Sequence, residues 1–424
     1  MESDHRQTPP VVLVTREAEL RAAVARLLRA PRVALDIESN GLFRYRASLC
    51  TMQLATSDEV VIVDTVAAPL GPLAELLGPG GPRKIVHDVA FDARILAEAG
   101  LVLGNVLDTS LAARMLGRTA TGLASLLASE LGITMDKKLQ HHDWTERPLR
   151  SHHLRYLADD VVHLAALADR LSAEVDAPSP HGDRGIADAV EEETRYRVAQ
   201  AIAAAGSVDP RPPWVRLKGV DRAPREELPI LRRLAELRED KARSLDVPPY
   251  KVIGPDVLFA IARAKPKTMA DLERIKGATG GHRARSLAPA MLAAVAAGLA
   301  DDGAVPADER AMLERPRLPP AVVKARRGRE GRLTSWRKAE AKRRGIDEQV
   351  VLPGHCLQDL ADLPDDSALD AVATVPGIGA FRVARDGAAL VAALAGSPLG
   401  DATVREACAV ALATAPRADE REPS

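Results

Sequence analysis

The chain reads as an α/β domain on a mixed sheet followed by two all-α helical domains. Three observations carry this. Up to about residue 176, short β-branched and apolar runs alternate with segments whose apolar residues recur at helical spacing. After residue 186 the strand signals disappear, and Ala, Leu, Arg and Glu dominate, as small helical domains require. Within that second half, two stretches share one pattern, which internal duplication explains most economically. At 424 residues the chain is also too long for one ordinary core.

Taken in order, the first domain predicts strands near 11–14, 33–38, 49–56, 60–65 and 84–87, and helices near 17–30, 90–99, 108–116, 121–131 and 152–175. Consecutive strands at 33, 49 and 60 suggest an antiparallel meander, and the later strand precedes helices, so the sheet is mixed. A break follows at APSPHGDRG (177–185), a series of turn formers. Each repeat (from Leu228 and from Leu333) then runs as a charged amphipathic helix, a short Val-containing link, a helix after a Gly-Pro or Pro-Gly turn, a short acidic helix, a glycine hinge and an alanine-rich helix. The expected boundaries are 10–176 for the first domain, 177–227 for a linker and connecting helix, 228–300 for the first repeat, 301–330 for a linker, 331–397 for the second repeat and 398–424 for a C-terminal helix and tail.

Composition excludes several classes. Apolar residues at 46% suit a globular fold and charged residues at 28% a solvated surface. No long uncharged apolar stretch predicts a membrane span, and the polar start MESDHRQTPP predicts no secretory signal. Cys50, Cys356 and Cys408 form neither metal spacing nor an even disulfide set, which points to the cytoplasm. Net charge is −1, yet Lys324–Arg344 gathers ten cations against Glu330 and Glu340, a candidate phosphate footprint or a solvated helix face. Arg326, Arg327, Arg343 and Arg344 are its expected nucleic-acid contacts.

Chemistry concentrates in four acids and one phenol. Asp36 and Glu38 are two apart in a strand, so both carboxylates leave the same face. Asp92 lies near the start of a helix after a strand. Tyr156 and Asp160 are four apart beside the apolar stripe Leu154, Leu157, Val161, Leu164 and Leu171, so both project from one neighbouring face. Such a set suits phosphodiester hydrolysis by two divalent ions roughly 3.5–4 Å apart, which activate water and stabilise the leaving 3′-oxygen. Magnesium prefers oxygen ligands and retains waters, so a few carboxylates suffice. A phenol is protonated at neutral pH and orients the water.

Each motif alone also has a bland reading. An acid pair is common on surface strands, a helical Tyr and Asp are usually a half-buried ring and a solvated carboxylate, and an Asp at a helix start is most often a cap. Their conjunction in this order is far more specific. His87, Asp88, Asp108 and Asp159 are expected in structural roles, with Asp108 capping a helix from Thr109. Gln53 either contacts substrate or satisfies backbone. His141, His142, His152 and His153 form adjacent pairs rather than the i, i+4 spacing of a zinc site. Their neighbour Trp144 is either a stacking surface for nucleic acid or an anchor of its loop in the core.

With these motifs in hand, the segment from about Val11 to Val175 resembles the DEDD exonuclease superfamily and, within it, ribonuclease D. VALDIESNGLFRYRASLCTMQLAT is similar to the first motif, KIVHDVAFDARIL to the second and LRYLADDVVHL to the third. Tyr156 before Asp160 matches the tyrosine subclass, since the histidine form has its histidine where Arg155 stands. Both helical repeats resemble the HRDC domain. The resemblance implies a ribonuclease-H-like fold and a 3′-to-5′ exoribonuclease that trims RNA 3′ ends such as those of tRNA precursors, with nucleoside 5′-monophosphates as products. It implies two Mg2+ ions, or Mn2+: Asp36 bridges both, Glu38 and Asp160 complete one shell, Asp92 serves the second ion and Tyr156 holds the nucleophile. In the second repeat, Pro376-Gly377-Ile378-Gly379 opens a helix and either offers backbone N–H groups to a phosphate or makes a tight helix connection. The rival readings are a DNA exonuclease of the same superfamily and a non-catalytic RNA-binding scaffold.

Overall fold

A computed structural model describes residues 9–177, 186–207, 209–301, 304–313 and 319–396. Most of the expected break at 177–185, the expected tail at 398–424 and Cys408 lie outside the described residues. In the first body the strands are β1 (Val11–Val14), β2 (Arg32–Ser39), β3 (Leu49–Ala55), β4 (Val60–Asp64), β5 (Arg83–Val86) and β6 (Val106–Asp108). The helices are α1 (Glu17–Leu27), α2 (Leu73–Leu77), α3 (Val89–Glu98), α4 (Thr109–Met115), α5 (Leu123–Leu126), α6 (Ser151–Val162), α7 (Leu164–Val175) and α8 (Ala187–Ala204).

The six strands form one mixed sheet in the order β1-β4-β3-β2-β5-β6. The expected meander β2-β3-β4 is antiparallel, whereas β1, β5 and β6 join in parallel. β3 and β4 are buried along their whole length, as central strands covered on both faces must be. Odd-numbered β2 residues Val33, Leu35 and Ile37 pack with residues of α1, α2 and α3. Ala34 faces the other way, against Leu157, Ala158 and Val161 of α6. Asp36 and Glu38 share its parity and therefore its face. A bulge between Glu38 and Ser39 ends the regular register beside the acids.

Two short elements, β6 and α2, escaped the sequence reading because three and five residues leave no period to detect. The helix expected over 152–175 is two helices that meet at His163. No Gly or Pro marks the break. It arises because α6 lies on β2, β3 and β4 while α7 turns to pack on α4 and β5, so one straight axis cannot serve both surfaces. The helix expected over 121–131 is α5 followed by a π-helical turn, Leu127–Leu131.

The helical half consists of two corresponding sets. The first is α9 (Leu228–Leu245), α10 (Pro255–Ala264), α11 (Met269–Glu273) and α12 (His282–Ala300), followed by α13 (Ala307–Ala311). The second is α14 (Pro320–Arg344), α15 (Glu348–Val351), α16 (Gly354–Asp362), α17 (Leu369–Ala373) and α18 (Gly379–Ala395). Among the described residues no strand follows Asp108. Each set has its own apolar core. The stretch 301–330, expected as a linker, instead carries α13 and the start of α14. Glu309 of α13 accepts from the Trp214 indole at 2.6 Å and from Arg232 at 2.9 Å, which binds it to the first helical core.

Both sets dock on the first body. The loop 40–48 leaves β2 just beyond Glu38, and it meets α9: the Tyr45 hydroxyl donates to Glu239 at 2.6 Å, and Lys251 lies 4.2 Å over the Phe43 ring. The second set docks on α8 through Arg382 and Glu193, both nearly fully buried and 3.2 Å apart. Tyr196 of α8 stacks on His355 with ring centroids 4.8 Å apart.

Candidate active site

One carboxylate oxygen from each of Asp36, Glu38 and Asp160 falls within 4.8 Å of the others. Two elements make this convergence. β2 delivers Asp36 and Glu38 from one face, and α6, lying across that face, brings Asp160 one helical turn beyond Tyr156. Partial burial and mutual repulsion make ionisation costly in the absence of a cation. Desolvation pushes the Asp36 carboxyl up to about 7. Desolvation, then the charges of Asp36 and Asp160, raise Glu38 to about 9, and desolvation with Asp36 and Asp159 raises Asp160 to about 8. Carboxyls held this far above their usual range are poised to release protons to an incoming divalent ion.

Asp92 projects from the first turn of α3, is only 6% exposed, and leaves its Oδ2 without a hydrogen-bond partner. Desolvation, then the charge of Asp36, holds its carboxyl well above the ordinary value. The capping role is excluded, because another residue performs it. Asp108 accepts from the N–H groups of Asp88 and Val89 at α3, both at 3.0 Å, and from Ser110 and Leu111 at α4. It caps two helices at once, more than the expected one. Asp88 adopts the left-handed conformation, and the His87 ring is bonded to Thr109 at 2.9 Å. Asp92 stands outside the group formed by Asp36, Glu38 and Asp160, yet a buried, unpartnered carboxylate oxygen within reach of the Asp36 charge is one that a hard cation would stabilise.

Tyr156 is half buried, and desolvation followed by the charges of Asp160, Glu38 and Asp36 raises its hydroxyl further above neutrality. It stays protonated at neutral pH.

The residues expected to touch nucleic acid fare differently. Gln53 is fully buried, pairs across the sheet with Asp36 and donates to Thr51 at 2.7 Å, so it cannot reach a substrate. Trp144 is 1% exposed; with no free ring face it is an anchor and not a stacking platform. The basic run on α14 is largely consumed internally. Arg326 pairs with Asp362, Arg329 and Arg332 with Asp365, Arg337 with Glu348, Arg343 with Glu340, and Arg344 with Glu340 and buried Asp386. Of the four arginines singled out, only Arg327 makes no ion pair among the described residues. It shares one exposed helix face with Lys324, Lys338 and Lys342, likewise without ion pairs there. Cation density along the sequence missed this because most of the pairing acids lie outside the run, on α15, α16, α18 and the turn after α16.

The glycine turn before α18 is also occupied. Its Phe381 N–H donates to Glu192 of α8 at 3.1 and 3.3 Å, so a carboxylate fills the position proposed for phosphate. Gly377 and Gly379 have φ of +79° and +74°, and a Cβ on them would run into Tyr196 and His355, or into Glu192. Close approach of the two bodies explains both glycines. Sequence reasoning missed one exposed group near the acids, Phe91, which is 48% exposed next to Asp92.

Residues 11–176 match the profile of the 3′-5′ exonuclease family, and residues 227–295 and 327–394 each match the HRDC domain. Fold, acidic cluster and family profile together define a hydrolytic 3′-5′ exonuclease with tandem HRDC domains. The ribonuclease D of Gluconacetobacter diazotrophicus is 32% identical over 324 residues, covering 74% of this chain and 79% of that protein. That of a Jannaschia species is 31% identical over 357 residues, covering 82% and 88%. The chain belongs to the ribonuclease D family of 3′-to-5′ exoribonucleases. The fold agrees. Escherichia coli RNase D superposes with a TM-score of 0.61 at 22% identity, covering 91% of this chain and 99% of that one. A protein from Bifidobacterium adolescentis superposes with 0.70 at 21% identity, covering 92% and 98%.

Proposed function

We propose that this exoribonuclease trims the 3′ ends of structured RNA, tRNA precursors among them, in the cytoplasm, and that Asp36, Glu38, Asp92, Tyr156 and Asp160 carry the reaction. The observation that supports it most is the meeting of Asp36, Glu38 and Asp160 oxygens within 4.8 Å. Asp36, Glu38 and Asp160 would hold one Mg2+ and Asp36 with Asp92 a second, Mn2+ being the alternative. Such a pair supplies an activated water and charge neutralisation at the leaving 3′-oxygen.

The chain's own groups do the rest. Tyr156 keeps its proton, so its hydroxyl donates to or accepts from the attacking water and fixes its line of approach. α6 holds phenol and carboxylate one turn apart, which sets that line relative to Asp160. The buried thiols Cys50 and Cys356 are free, in keeping with a reducing compartment, and no helix of the described residues is long and apolar enough to cross a membrane. Preference for RNA requires a contact to the 2′-hydroxyl.

The test is a 3′-extended tRNA precursor with product lengths resolved, alongside matched RNA and DNA oligonucleotides. Stepwise shortening with 5′-monophosphate release, dependent on divalent metal and lost in Asp36→Asn, is expected. Trimming by Asp36→Asn at the parent rate would sink the site, and faster DNA degradation would sink the substrate.

A further inference from the structure

We infer that Trp144 is a positioning residue for this reaction, its indole bracing the Tyr156 ring from a loop that is strapped to the sheet. The inference rests on the active-site reading above and assigns a task to a segment that reading leaves unused, His142–Pro148.

The ring is, with that of Trp214, the largest fully buried side chain among the described residues. Its centroid lies 5.8 Å from that of Tyr156, with the planes tilted by 34°. His142 meets it edge-on at 4.9 Å and His153 at 5.9 Å, so Tyr156 rests on a packed aromatic cluster. That fixes the direction of its hydroxyl. The indole Nε1 is buried and closes no hydrogen bond of normal geometry, an omission that is costly for a donor unless a partner is nearby. One residue therefore joins the candidate water-orienting phenol to a packed aromatic cluster.

Trp144 is itself tied down. Arg147 donates to the Trp144 carbonyl at 2.7 Å and to the Cys50 carbonyl at 3.0 Å, and forms a two-point pair with Asp64, both contacts at 2.7 Å. Cys50 and Asp64 lie on β3 and β4, so this strap fastens the indole to the sheet that carries Asp36 and Glu38. Asp143 tightens the turn by accepting from the Thr145 N–H and hydroxyl at 3.1 and 2.6 Å.

The experiment compares the full-length parent, Trp144→Phe and Asp36→Asn. Phenylalanine is smaller than the indole and loosens the packing against Tyr156. Three readouts are taken: thermal stability, kcat and KM on a short RNA, and Mn2+ binding by calorimetry without RNA. Expected for Trp144→Phe is a kcat lowered roughly tenfold, as a looser Tyr156 misdirects the attacking water, with KM and Mn2+ affinity unchanged. A variant that matches the parent in kcat overturns the inference, as does one that changes KM or Mn2+ affinity alone. Should Trp144→Phe fail to fold, Arg147→Lys keeps the ring and loosens the strap, because an ammonium cannot reproduce the two-point pairing. The same drop in kcat at constant KM is then expected, and parental kcat overturns the role. Asp36→Asn separates the two levels. If it still trims RNA, the active-site reading itself falls; if it is inert while Trp144→Phe is fully active, only the role of Trp144 falls.

Discussion

Asp160→Asn should make the metal-free protein more stable while abolishing its activity, and the gain should grow with pH. In the folded chain burial and the charge of Asp36 raise the Asp160 carboxyl to about 8; in the unfolded chain it returns to about 3.9. Between those values the native state holds a proton that the unfolded state has released, so stability falls as pH rises. The contribution is fully present below pH 4 and lost as pH passes through 8. At about 1.36 kcal/mol per tenfold, full ionisation would cost on the order of 5 kcal/mol. Removing one charge lets Asp36 and Glu38 redistribute their protons, which leaves a net gain of about 2 kcal/mol at pH 8 and less than half of that at pH 5. For a domain of this size 2 kcal/mol corresponds to roughly 4–8 °C in Tm. Calorimetric unfolding in EDTA at pH 5 and pH 8 measures it. Added Mg2+ should then raise the parent's Tm more than the variant's, since only the parent keeps the complete ligand set. Equal melting of parent and variant at pH 8, or a gain that does not change with pH, would refute the reasoning.

The remaining predictions concern the helical half. Charge reversal of Lys324, Arg327, Lys338 and Lys342 should weaken binding to long RNA more than to short RNA and flatten the salt dependence of affinity, since every phosphate left unneutralised keeps its condensed counterion; filter binding across a salt series reads it. Arg344→Ala should leave Asp386, 4% exposed, with only Arg385 of its own helix as partner, lowering stability by about 1–2 kcal/mol as measured by denaturant unfolding. Gly379→Ala forces a left-handed residue and a Cβ into Glu192, so it should release the second HRDC domain from α8, seen as faster proteolysis between the domains with intact trimming of short RNA.

Much of the fold and most of the acid set were legible in the chain because they rest on local periodicity. A spacing of two in β2 forces Asp36 and Glu38 onto one face, and a spacing of four in α6 forces Tyr156 and Asp160 together, whatever surrounds them. Asp108 announced its cap for the same reason. What the chain left undecided or misleading were surface charges and turns whose partners lie far along the sequence. The arginines of α14 looked free because Asp362, Asp365 and Asp386 are far along the sequence, and the turn at Gly377 and Gly379 stayed undecided between phosphate and a tight connection because Glu192 lies in another body. The break at His163 carries no Gly or Pro and follows only from the two surfaces that α6 and α7 must cover.

The chain by itself determined which side chains share a face, because backbone geometry repeats every two or 3.6 residues and needs no tertiary knowledge. Only the folded structure decided which charges remain unpaired, which aromatic ring is buried and that Asp92 lacks a local partner. Those are properties of packing between segments dozens to hundreds of residues apart, and burial and pairing energies depend on that packing alone.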